Sequence, residues 1–175
     1  MPSVDPPHAK EDLPLVDEHR VLVHAAAPAV WDALTSRFAR PGLAAARPYA
    51  DLVRAAPRRA SGRFPDAGAT LPGFTVAEVV PMVSLVLTGH HRFSRYALTL
   101  TLDQAPDATM LSACTRAEFP GPGGWAYRRL VIGSGAHRIL VGRLVRGIRR
   151  QAEGTRLQRD RPTAAPGRGP QRGHG

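Results

Sequence analysis

The sequence predicts a single α+β domain, on three observations. A strand pattern running into a helix start opens the ordered part, strand candidates separated by turn signals fill the middle, and a long amphipathic helix closes it. With 175 residues, 43% of them hydrophobic, the chain has the size and apolar content for one core.

In HRVLVHA, residues 19–25, polar and apolar side chains alternate as in a strand. Pro28 then suits the first turn of a helix in which Ala27, Trp31, Leu34 and Phe38 fall at helical spacing, and Pro41-Gly42 end it. Residues 41–73 carry no consistent period, although a short helix or strand around residues 49–54 is compatible with them. Strand candidates resume at 74–80, 83–89, 92–103 and 109–119. Turns at Pro81-Met82 and Gln104-Ala105-Pro106-Asp107 make consecutive antiparallel pairing, a meander, the expected arrangement.

Residues 124–153 read as one helix. At 100° per residue, Tyr127, Leu130, Ser134, His137, Val141, Leu144, Val145 and Ile148 share one side, opposite Arg128, Arg143, Arg146 and Arg150. Glycines at 133, 135, 142 and 147 each cost about 1 kcal/mol against alanine, so this helix needs tertiary packing. The flanks, residues 1–14 and 154–175, lack apolar periodicity and are expected to be disordered tails around a domain spanning 15–153.

Charge is divided unevenly. Residues 1–124 balance 12 basic against 12 acidic side chains, whereas residues 125–175 hold 12 arginines against Glu153 and Asp160, so the net +10 belongs to the C-terminal part. Such asymmetry fits an anionic partner, a membrane surface or a polyanion, held by Arg128, Arg143, Arg146, Arg150 and the tail, or else a solvated helix back. One cysteine, Cys114, permits neither an internal disulfide nor a thiolate zinc site. With no signal peptide pattern and no long apolar run, a cytoplasmic location is expected.

The stretch GHHRFSRY, residues 89–96, concentrates polar chemistry. Neighbours on a regular strand face opposite sides, so His90 and His91 do not converge on one ion, and no metal is expected there. Leu98, Leu100 and Leu102 mark the even positions as the core face, and by the same parity Arg92, Ser94 and Tyr96 point inward. Arg92 and Tyr96 then either orient a buried ligand or serve as a rim arginine and a core tyrosine with its hydroxyl satisfied. His137, central on the helix's apolar face, is a ligand contact, a general base or a core histidine, and Tyr127 and Ser134 would extend it into a polar patch. No carboxylate is placed beside it. Glu78 is the acid in a strand interior, with its face open.

Several motifs fail. LVIGSGAHR has Arg138 where a dinucleotide fingerprint needs its third glycine, and Ile132 stands where a nucleophile elbow around Ser134 needs glycine. No cofactor is implied. Trp31 and Trp125 fit the core or a helix end better than a cofactor box.

HRVLVHAAAPAVWDAL, LPGFTVAEV, GHHRFSRYALTLTL and FPGPGGWAYRRLVIGSGAHRILVGRLVR together resemble the SRPBCC superfamily, the START-like and polyketide cyclase-like proteins, over residues 15–153. The resemblance implies a helix-grip fold: a curved antiparallel sheet wrapped around the C-terminal helix, with a mainly apolar cavity between them. It implies binding of a hydrophobic or amphipathic small molecule, or else a cyclase or dehydratase reaction with His137 or Tyr96 as the acid/base. No motif of an enzymatic branch is present.

Overall fold

The computed structural model describes residues 13–39 and 54–159. Strand β1 (Leu15–Val23) is followed by α1 (Ala27–Ala39), then β2 (Thr70–Leu71), β3 (Phe74–Val80), β4 (Ser84–His91), β5 (Ser94–Ala105) and β6 (Ala108–Glu118), and last α2 (Gly121–Val131) and α3 (Ala136–Arg159). The six strands form one antiparallel sheet in the order β1-β6-β5-β4-β3-β2. The expected meander is present as β3 to β6, and β1 closes onto β6.

Register explains which side chains face the core. Rows such as Val21, Leu111, Leu102 and His19, Ala113, Leu100, Leu85 run across the inner face, because directly paired residues share a side. Onto that face α3 lays Val141, Val145, Ile148 and Ala152, and α1 adds Val30, Leu34 and Phe38, in one continuous buried cluster. A sheet closing on its C-terminal helix is the helix-grip arrangement. Burying a side chain such as Leu34, Leu100 or Ile148 stabilises by about 1.5–3 kcal/mol, and that burial supplies the packing the glycine-rich helix requires.

The structure corrects several boundaries. β1 begins at Leu15, four residues before the expected start, and Leu13 and Pro14 also belong to the fold: the Leu13 carbonyl accepts a hydrogen bond from Arg116, and the Pro14 carbonyl accepts one from the Ala117 amide. β4 and β5 meet in a two-residue turn, Arg92-Phe93, so GHHRFSRY is a hairpin rather than the opening of one strand. Pairing of Ala105 with Ala108 shortens the next turn to Pro106-Asp107.

The helix expected over 124–153 is two helices. Ile132–Gly135 interrupts it: Gly135 takes a left-handed φ of 75°, and the Ser134 hydroxyl donates to the Val131 carbonyl that the broken helix would otherwise leave open. α3 then continues to Arg159, beyond the expected domain end at 153. The possible element at 49–54 lies outside the described residues apart from Arg54, which sits in a turn. Residues 1–12 and 160–175 also lie outside the described residues. Among the described residues no helix is long and apolar enough to cross a membrane.

Candidate functional site

On β1, Asp17, His19, Val21 and Val23 share the inner face, and the packing of α3 against that strand brings His137 down beside the first two. Asp17 Oδ2 lies 3.6 Å from His19 Nε2 and 3.6 Å from His137 Nε2. Thr115, paired with Asp17 across β1 and β6, completes the group. The Asp17 side chain is only 7% exposed.

These residues stand out because their polar atoms are unsatisfied. Both Asp17 carboxylate oxygens, Nε2 of His19, Nε2 of His137 and Oγ1 of Thr115 are buried without a hydrogen-bond partner among the described residues. A separation of 3.6 Å is beyond hydrogen-bond reach, so the carboxylate and the imidazoles attract without bonding. Buried polar groups left in this state cost about 1–3 kcal/mol each, so one carboxylate, two imidazoles and a hydroxyl in one place make a poor core. Burial holds the His137 imidazole below its ordinary pKa, an effect that the Asp17 charge opposes and His19 reinforces. A neutral His137 can accept a proton at Nε2, and the adjacent Asp17 carboxylate would stabilise the imidazolium that results.

The expected site residues do not form one patch. Tyr96 lies on the inner face, and its hydroxyl donates to the Gly73 carbonyl at 2.6 Å. His91, on the same face, meets the Tyr96 ring at 5.6 Å and the Tyr127 ring at 4.7 Å between centroids, so Tyr96 and Tyr127 converge around this histidine. Burial, and secondarily the neighbouring His90, lowers the His91 pKa. Tyr127 also stacks on Phe93 and Phe119, which pins α2 to the end of the sheet.

Arg92 is not an inward residue. It occupies the β4–β5 turn, is exposed and lies over the Phe93 ring, because strand parity stops where the hairpin turns. Ser134 is likewise exposed in the interhelical turn and spends its hydroxyl on the Val131 carbonyl. Neither Tyr127 nor Ser134 shares a helix with His137, since the chain reverses its helical register at Ile132–Gly135. Glu78 faces solvent, and the carboxylate beside His137 is Asp17. The parity of Val21 and Val23, carried back along β1, was the signal for Asp17 and His19. Among the described residues no group of three His, Cys, Asp or Glu side chains has the arrangement of a metal site.

No family model and no curated protein matches the chain. Solved structures are similar in overall course. Norcoclaurine synthase from Thalictrum flavum shares 13% identity at a TM-score of 0.49, over 81% of this chain and 86% of that one. A conserved protein from Geobacillus kaustophilus shares 14% at 0.48, over 79% and 95%. A protein from Mesorhizobium loti shares 17% at 0.47, over 83% and 99%. The chemistry of Asp17, His19 and His137 is therefore read from this chain alone.

Proposed function

We propose that this protein is a cytoplasmic binder of a hydrophobic or amphipathic small molecule, lipid or polyketide-like, held between the sheet and α3. The observation that supports this reading most is the set of five polar atoms buried on the inner face without a hydrogen bond among the described residues. A hydroxyl or phenol on an otherwise apolar ligand satisfies them in a way that no hydrocarbon does: it donates to Asp17 and accepts from an imidazole N–H of His19 or His137. Leu98 and Leu100, which neighbour Thr115 and Ala113 in the register, supply the apolar surroundings.

The test compares a naphthol with naphthalene as probes by thermal shift and native mass spectrometry. Binding of the naphthol in preference to naphthalene, with the preference removed by Asp17→Asn and by His137→Leu, supports the reading. Equal behaviour of the two probes, or a preference indifferent to both substitutions, defeats it.

A second reading, a cyclase or dehydratase acting on a polyketide-like substrate, draws on one further feature: the carboxylate beside a neutral imidazole is a pair suited to moving a proton. Turnover of such substrates that is lost in His137→Ala, with the fold intact, would support it. Turnover unchanged in that variant would remove His137 from the chemistry.

A further inference from the structure

Exposed apolar surface concentrates on α2 and the start of α3. Leu130, Leu140 and Trp125 are 74%, 68% and 63% exposed, the three highest values among the large exposed hydrophobic residues, and Ile139 is 53% exposed. α2 buries only Gly124 and half-buries Tyr127 and Val131, so most of the helix stands clear of the core. From residue 121 to residue 152 there is no acidic side chain, while Arg128, Arg129, Arg138, Arg143, Arg146, Arg149 and Arg150 all fall there.

At Trp125 the exposed apolar surface and the arginines meet. A surface hollow of about 530 Å³ is lined by Trp125, Arg128, Arg129, Ile132 and Gly133, with the Arg129 guanidinium 5.6 Å from the Trp125 ring centroid. A second hollow of about 190 Å³ continues from Trp125 and Arg128 to Leu15 and Phe119. Arginines around an exposed indole, on a corner that also leaves Leu130 and Leu140 open to solvent, suit a boundary where one layer is anionic and the next is hydrocarbon.

We infer that the α2–α3 corner docks the protein on an anionic lipid bilayer, with Arg128 and Arg129 on lipid phosphates and Trp125, Leu130 and Leu140 entering the headgroup layer. Complementarity of charge selects this occupant. A second copy would bring the same arginines against one another. Nucleic acid would satisfy the guanidinium groups but leave the exposed leucines in water. The contact is superficial, since a surface helix with an arginine face and a few large apolar residues lies in the interface plane rather than crossing it.

The full-length chain would be sedimented with phosphatidylcholine vesicles with and without about one-third phosphatidylglycerol, at low and raised salt. Retention that depends on the anionic lipid and falls with salt is expected. Arg128→Glu with Arg129→Glu should weaken it at least about 25-fold, at roughly five-fold per arginine. Arg128→Lys with Arg129→Lys, which keeps the charge, should retain it. Trp125→Ser with Leu130→Ser and Leu140→Ser should weaken it too, and all these exposed positions should leave the melting temperature unchanged. Lipids brominated near the headgroup should quench fluorescence in the native protein and not in Trp125→Phe. Retention on pure phosphatidylcholine equal to that on the mixture, binding indifferent to both reversed and depleted variants, as when the C-terminal tail alone carries it, or DNA binding without any bromine quench would overturn the inference.

Discussion

The Asp17 carboxylate stands 3.6 Å from Nε2 of His137 and equally far from Nε2 of His19, so one buried acid serves two imidazoles and hydrogen-bonds neither. Burial of this group makes stability depend on pH. Burial lowers the His137 pKa below 6.5, and His91 is lowered in the same way. Near and below that pH the unfolded chain then binds more protons than the folded one, so stability rises with pH. The contribution of the neutral imidazoles is complete above about pH 6.5 and is lost as the pH falls from there through their folded values. Urea midpoints should decline as the pH falls below about 6.5, and His137→Leu should flatten part of that decline. By proton NMR, Asp17→Asn should lower the His137 titration further, because it removes the charge that opposes desolvation.

A buried polar cluster without hydrogen bonds costs stability, and replacing it tests that. Asp17→Val, His19→Val and His137→Leu together should leave the fold intact and raise its stability by about 1–3 kcal/mol, as apolar replacement of buried charged groups often does. A loss of more than about 2 kcal/mol in chemical denaturation would make the cluster a structural element.

Gly89 lies beneath the hydrogen bond from Tyr96 to Gly73. A Cβ there would meet the Gly73 carbonyl and come 2.7 Å from the Tyr96 ring, so Gly89→Ala should destabilise by about 2–4 kcal/mol. Tyr96→Phe, which only removes the hydroxyl, should cost about 1 kcal/mol. Adding it to Gly89→Ala should not restore the loss, since the clash with backbone persists. Equilibrium unfolding of the three variants decides this.

Thr109 is fully buried and donates from its hydroxyl to the Ala25 carbonyl at 2.8 Å, tying the end of β1 to the start of β6. Thr109→Val keeps the shape and strands that carbonyl, so a loss of about 1–3 kcal/mol is expected on thermal or urea unfolding. A neutral result would mean that the carbonyl finds another donor.

The fold was legible where local chemistry and tertiary demand agree. Proline-marked turns and alternating Leu98, Leu100 and Leu102 placed the central strands, and the helical spacing of Leu34 and Phe38 placed α1. Reading ran out where one residue decides geometry. Whether Gly133 and Gly135 are tolerated inside a helix or end it depends on packing, and here Gly135 turns left-handed and divides the helix. Arg92 was given a strand's parity that the hairpin does not preserve. His137 sits half-buried on α3, and its partners come from β1. Proximity between the first strand and the last helix is not encoded in the local pattern of either.

The union of Asp17 and His19 with His137 also dates the completion of the fold. During synthesis β1 emerges first and α3 last, so every hairpin from β3 to β6 can form before the third member of the group has left the ribosome. A chain stalled before residue 136 would hold its acid and first imidazole on a sheet face that α3 has yet to cover. The chemical shift of His137 is thus a built-in clock hand: it reaches its native position only when the two ends of the domain have found each other.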